Sequence, residues 1–164
     1  MENKSEKPMR ILIIDDNEIV RSSLAGLIEM ERDLTVCGQA ASGKSGLELA
    51  RSLKPDLIVL DLSLDDWKGE EVLKKLRGLV ASPVLVVSMY DEAIHGLRVL
   101  NEGANGYLMK RDAADQIILA IHRVIGGGTY LSPRLAAQTG SKSKADKAQL
   151  SPKEAQNVGG RRRG

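Results

Sequence analysis

The sequence predicts an α/β protein built on a parallel sheet with helices on both faces. Two observations carry this prediction. Five short, strand-like runs alternate with five stretches of helical periodicity between about Met9 and Gly128, the order that marks strand–helix–strand units. Several of the runs, Ile11 to Ile14, Leu57 to Leu60 and Val84 to Val87, are apolar throughout rather than alternating, as strands covered on both faces require. Crossovers between parallel strands are right-handed almost without exception, which spreads the helices over both faces.

The elements follow in order. Arg10 to Ile14 is the first strand and ends in Asp15-Asp16. Asn17 is placed to cap a helix from Glu18 to about Met30, whose Ile19, Val20, Leu24, Leu27 and Ile28 recur at helical spacing. Leu34 to Ala40 is the second strand. Ser42 to Leu53 is a helix, and Pro55 marks the break after it. Leu57 to Leu60 is the third strand, with Asp56 and Asp61 at its ends. Gly69 to Leu79 is helical along a Val72, Leu73 and Leu76 stripe. Pro83 opens the fourth strand, closed by Ser88. A helix from Glu92 to Asn101 stops at Gly103. Gly106 to Leu108 forms a fifth strand ending at Met109-Lys110, and Ala113 to Ile125 the last helix, halted by Gly126-Gly127-Gly128. Thr129 to Leu135 is expected to extend that helical region. The Ala-, Ser- and Lys-rich stretch to Gln149 has no apolar period and reads as a flexible linker.

Composition narrows the class. Apolar residues make up 42% and charged residues 28% of the 164-residue chain, enough for one real core. No apolar run approaches the ~20 residues of a membrane span, and the charged N-terminus lacks the apolar stretch of a secretory signal. The single cysteine, Cys37, cannot pair internally. A cytoplasmic protein is expected. The net charge of +2 hides an asymmetry: residues 1–128 carry 16 Lys and Arg against 20 Asp and Glu, and residues 129–164 carry eight against two. With one Trp, three Tyr and no Phe, a stacking surface for single-stranded nucleic acid is not expected.

Ligands of open α/β sheets bind outside the carboxyl ends of the strands. There this chain puts Asp15, Asp16, Asp61, Ser88 and Lys110. Carboxylates gathered without a cation raise one another's pKa. A hard divalent ion resolves the conflict, and Mg²⁺ binds through one or two carboxylates together with phosphate oxygens. The set suits phosphoryl transfer to a carboxylate nucleophile.

Together these residues resemble the receiver domain of two-component response regulators, from about Met9 to Gly128. The motifs are LIIDDNEIVR, IVLDLSLDDWKG, VVSMYDE and GANGYLMK. The resemblance implies a flavodoxin-like (CheY-like) doubly wound sheet of order 2-1-3-4-5. It implies that Asp61 is the phosphoacceptor for a sensor histidine kinase. It further implies that Asp15, Asp16, Asp61 and the backbone carbonyl of Ser63 hold Mg²⁺, that Ser88 and Tyr107 form the switch pair, and that Lys110 contacts the phosphoryl group. Phosphorylation would change dimerisation or partner binding; the chain would be a phosphoacceptor rather than an enzyme with turnover.

The stretches SMYDEAIHGLRVLNEGANGYLMKRDA and IHRVIGGGTYLSPRLA are similar to the NarL/FixJ class, whose output module is a DNA-binding helix-turn-helix. LSPKEAQNV, from Leu150, resembles the opening of that module, and the last ten residues do not continue it. Residues 150–164 are therefore expected to be a remnant of an output domain, residues 1–8 a flexible terminus, and DNA a partner only of a longer form. The family's Met-Pro-Gly-like turn after the acceptor is replaced by Leu64-Asp65-Asp66, which adds two carboxylates near the site. Cys37 reads as a buried strand residue, His95 and His122 as ordinary helix residues, and Arg161 to Arg163 as a solvated tail. Two rival readings belong to other classes. One is a haloacid-dehalogenase-type phosphatase, whose nucleophile motif is Asp-x-Asp, against Asp15-Asp16 without a cap insertion here. The other is direct DNA binding through the arginine tail.

Overall fold

The computed structural model describes residues 7–132 and 136–137. The chain divides into two compact units, Met1–Tyr130 and Leu131–Gly164. In the second, the N–H of Ala136 donates to the Ser132 carbonyl at 2.9 Å. The expected linker beyond Ala137 and the output-module remnant at 150–164 lie outside the described residues, as do the first six residues of the expected flexible terminus.

The first unit contains β1 (Met9–Ile14), α1 (Glu18–Glu29), β2 (Leu34–Ala40), α2 (Gly43–Leu53), β3 (Leu57–Leu60), α3 (Gly69–Leu79), β4 (Val84–Ser88), α4 (Glu92–Asn101), β5 (Gly106–Met109) and α5 (Lys110–Ile125). The sheet is parallel, in the order β2-β1-β3-β4-β5. This is the flavodoxin-like order expected above.

The apolar runs explain the layers. Successive residues of a strand point to opposite faces. Ile11 and Ile13 of β1, Leu57 and Val59 of β3, and Leu85 and Val87 of β4 pack with Leu24 and Ile28 of α1 and Ile117, Ile121 and Val124 of α5. The alternate residues Leu12, Ile14, Ile58, Leu60, Val84 and Val86 pack on the other face with Ala50, Val72, Leu73, Leu76 and Val99. Each such Leu or Ile, removed from water, contributes about 1.5–3 kcal/mol. Caps fix the helix starts nearest the site: Asn17 Oδ1 accepts from the Val20 N–H at 3.1 Å and Ser42 Oγ from the Ser45 N–H at 3.1 Å.

The structure departs from the sequence reading in two places near the C-terminal edge of the sheet. Helix α5 begins at Lys110 rather than Ala113. Neither Pro nor Gly interrupts Lys110-Arg111-Asp112, and Asp112 in the first turn suits the positive end of the helix dipole. The expected continuation of that helix into Thr129 does not occur. Past the three glycines, Tyr130 turns back and forms a parallel bridge with Gly106 of β5, where the residue is buried. Cys37, expected to be buried, is half-buried on the edge strand β2.

Candidate functional site

Two carboxylates hang directly from the sheet. The Asp15 N–H continues the β1–β2 ladder by donating to the Ala40 carbonyl at 3.0 Å, and the Asp61 N–H donates to the Ile14 carbonyl at 2.9 Å. Both residues are buried, Asp15 to 2% and Asp61 to 1% exposure. Asp16, next in the chain, is half-exposed. Carboxylate oxygens of Asp15, Asp16 and Asp61 lie within 4.8 Å of one another. Because Asn17 caps α1 with its own side chain, Asp15 is free to turn inward, where its Oδ1 accepts from the Asn17 N–H at 2.9 Å. From α1, Arg21 Nη1 donates to the Asp15 carbonyl at 2.7 Å.

The early start of α5 sets the position of Lys110. Its Nζ is 3.1 Å from Asp15 Oδ2 and 3.4 Å from Asp61 Oδ2. Asp61 Oδ1 accepts from the Ser63 N–H at 3.2 Å, whereas Asp61 Oδ2 is buried with no hydrogen-bond partner among the described residues. Gly69 holds α3 close behind this strand end: a Cβ there would lie 2.3 Å from Leu62 Cα and 2.9 Å from the Asp61 carbonyl oxygen. Burial, reinforced by Asp15, pushes the Asp61 carboxyl above its ordinary range, while the Ser63 N–H and Lys110 pull it back. Burial also raises Asp16, with the Asp65 and Asp15 carboxylates adding to the effect. Three carboxylates thus gather at the Lys110 ammonium, which lies at ion-pair distance from Asp15 and Asp61. That donor set, all hard oxygen, fits a small divalent cation.

Ser88 and Tyr107 meet through the loop after β4. Both are fully buried. Ser88 Oγ accepts from the Tyr90 N–H at 3.0 Å, and the Tyr107 hydroxyl donates to the Tyr90 carbonyl at 2.8 Å. Burial raises the Tyr107 phenol, and the Ser88 hydroxyl beside it acts in the opposite direction. The expected residues therefore form two adjoining groups: Asp15, Asp16, Asp61 and Lys110 in one, and Ser88 and Tyr107 in the other. Ser63 lies beside Asp61 through its N–H. His95 stacks on Tyr90 at a centroid distance of 5.0 Å, and His122 Nε2 sits 2.8 Å from Asp33 Oδ2; neither joins the carboxylates.

The two additional acids of the β3–α3 loop have different partners. Asp65 faces Asp16. Asp66 instead clamps the loop to the start of α2, accepting from the Gly43 N–H at 2.8 Å, the Lys44 N–H at 3.0 Å and the Trp67 N–H at 2.9 Å. The Gly43 bond is the largest cause of its lowered pKa. Sequence reasoning missed this clamp and the Arg21 contact. An Asp whose loop faces an uncharged helix N-terminus was the available signal for the first. Asp66→Ala should cost about 1 kcal/mol at neutral pH, the usual value of a lost helix cap. Because the folded pKa is depressed, the Asp66 contribution is present above the ordinary Asp value of 3.8 and fades as pH falls below it. Denaturant unfolding of wild type and Asp66→Ala at neutral and acid pH should show the difference shrinking.

The carboxylate cluster gives the opposite sign. Asp16 and Asp61 are raised, so the unfolded chain ionises before the folded one as pH climbs above 3.8, and the metal-free fold loses stability over that range. A bound cation has to displace those protons. The rise in Tm produced by saturating Mg²⁺ should therefore be larger at neutral pH than at acid pH. Thermal melts across pH, with and without the ion, measure it; an increment independent of pH would contradict this electrostatic account.

The fold is thus a parallel α/β sheet with three acids and a lysine gathered at its carboxyl edge. Residues 11–122 match the model of the response regulator receiver domain, and the chain belongs to that family. Its relatives narrow the group to regulators of the NarL/LuxR type. It is 37% identical over 160 residues to the nitrate/nitrite response regulator protein NarL of Escherichia coli (strain K12), covering 92% of this chain and 73% of NarL. It is 34% identical to the response regulator GacA of Pseudomonas aeruginosa, covering 82% of this chain and 64% of GacA, so it spans just under two thirds of that relative. Among solved structures it is similar to a LuxR-family two-component response regulator from Aurantimonas sp. SI85-9A1, with a TM-score of 0.76, 28% identity, and 85% and 99% of the two chains covered. None of the described helices is long and apolar enough to cross a membrane.

Proposed function

We propose that this chain is the phosphorylation-controlled switch of a cytoplasmic two-component pathway that regulates transcription, with Asp61 as the acceptor. The observation that carries the reading is the buried Asp61 carboxylate beside two further carboxylates and within 3.4 Å of the Lys110 ammonium. In the reaction, a carboxylate oxygen of Asp61 attacks the phosphorus of a phosphohistidine on a sensor kinase. The P–N bond breaks, its electron pair returns to the imidazole nitrogen, and a mixed anhydride forms on Asp61.

Asp15, Asp16, Asp61 and the Ser63 backbone carbonyl would hold Mg²⁺, which when bound supplies positive charge for the phosphoryl oxygens. Lys110, already 3.4 Å from Asp61 Oδ2, adds a second positive charge at the developing anhydride. Ser88 donates its hydroxyl to the phosphoryl group, and the Ser88–Tyr90–Tyr107 connection carries the change outward. The result is a population shift between two arrangements of the β4–α4 loop and Tyr107, read as dimerisation or partner binding. The receiver is assigned to residues 9–128, and DNA contact only to a form that carries an output module.

The protein is mixed with a small phosphodonor with and without Mg²⁺, and intact mass is measured. A gain of about 80 Da, one phosphoryl group, is expected only with the ion. No gain under either condition would refute acceptance, and steady hydrolysis of generic phosphate esters would favour a phosphatase.

A further inference from the structure

We propose that Tyr130 is a positioning residue for the switch: seated on the outer edge of β5, it holds Tyr107 in its buried orientation and couples the chain that follows to the occupancy of the Asp61 site. The inference rests on the acceptor reading above. Tyr107 is held at both ends. Its hydroxyl donates to the Tyr90 carbonyl at 2.8 Å, and its backbone N–H donates to the Tyr130 carbonyl at 3.1 Å. Tyr130 in turn donates its own N–H to the Asn105 carbonyl at 3.1 Å, so one residue brackets Gly106 in a parallel bridge. β5 is the last strand of the sheet, and Tyr130 supplies pairing on the side away from β4.

The seat is built for this approach. At Gly106 a Cβ would come 2.9 Å from Leu85 Cδ1, 3.1 Å from Tyr130 Cβ and 3.3 Å from its carbonyl oxygen, so a side chain there would crowd Leu85 and shift the strap by a few tenths of an ångström. Tyr130 is 3% exposed, and its hydroxyl donates to Gln116 Oε1 of α5 at 3.1 Å. Tyr130 is also the final residue of the first compact unit. The second unit thus starts one residue beyond a backbone hydrogen bond to the switch tyrosine.

Linkage then fixes the sign. The strap is paired while Tyr107 is buried beside Ser88; a phosphoryl group that draws the Ser88 hydroxyl toward Asp61 leaves room for the Tyr107 ring behind it, so the buried arrangement is assigned to the phosphorylated state. Strap and phosphoryl group therefore favour the same state, and each strengthens the other by one common factor.

The 164-residue chain is titrated with beryllofluoride at saturating Mg²⁺, as a phosphoryl mimic, and amide hydrogen exchange at Tyr107 and Tyr130 is followed. In wild type the mimic should slow both amides together. Tyr130→Ala should raise the beryllofluoride midpoint about 5-fold or more, the lower range of allosteric coupling, whereas Tyr130→Phe, which loses only the hydroxyl bond, should shift it far less. If Tyr130→Ala does not fold, Gly106→Ala, which crowds the strap, should give the same shift. A folded strap variant with a wild-type midpoint would leave Tyr130 a purely structural residue and overturn the inference, as would a Tyr130 amide indifferent to the mimic. A wild type that ignores beryllofluoride altogether would overturn the acceptor reading, and the coupling with it.

Discussion

Replacing Lys110 with Met is expected to destabilise the metal-free protein by about 3 kcal/mol at neutral pH, because a buried charge left without its partner costs about 3–5 kcal/mol. Lys110 Nζ is the cation within ion-pair distance of both Asp15 and Asp61. Without it the two buried carboxylates face each other across the site. Their relief is to take up protons, so the loss should be smaller at acid pH. Saturating Mg²⁺ should restore most of the stability, since a divalent charge replaces the ammonium. Phosphoryl uptake should stay about 100-fold slow even then, the lower range for removing one donor to a developing oxyanion. Denaturant unfolding with and without Mg²⁺, paired with uptake rates, separates the two effects. If uptake returns to the wild-type rate once Mg²⁺ restores the fold, Lys110 is only a structural counter-charge.

The second large effect lies directly behind the acceptor. Leu60 is fully buried, pairs with Ile14 and Val86, and immediately precedes Asp61. Leu60→Ala removes packing on the face shared with α2, α3 and α4, at an expected cost of about 3 kcal/mol and a Tm lower by about 10 °C. Against a domain stability of about 5–15 kcal/mol, that is a large share. Leu119→Ala, at a position 52% exposed, should cost less than about 0.5 kcal/mol. Equal losses at the two positions would mean that burial does not set the stability of this sheet.

The framework was legible because its signals are local. β2, β3, α3 and α4 begin and end where their apolar runs, capping residues and glycines place them. The meeting of Asp15, Asp61 and Lys110 was legible because parallel topology brings every strand's carboxyl end to one edge. What was missed depends on tertiary partners. Nothing in Thr129-Tyr130 by itself says that Tyr130 leaves the helical path; the free edge of β5 and the space above Gly106 decide it. Asp66 and Asp65 are neighbours of the same type, yet one turns to the N–H groups of α2 and the other to Asp16. That choice is made by where α2 starts, some twenty residues earlier in the chain. Likewise Arg21, given no role of its own within the LIIDDNEIVR motif, reaches the Asp15 carbonyl because α1 leaves the sheet directly beside it.

The identity of the acceptor is the central claim, and one comparison tests it most directly. Wild type and Asp61→Asn are incubated with a small phosphodonor and Mg²⁺, and intact mass is recorded on folded protein. Wild type should gain one phosphoryl group of about 80 Da, labile as an acyl phosphate is, and Asp61→Asn should gain none. An Asp61→Asn protein that takes up the group as wild type does would place the acceptor elsewhere and contradict this account.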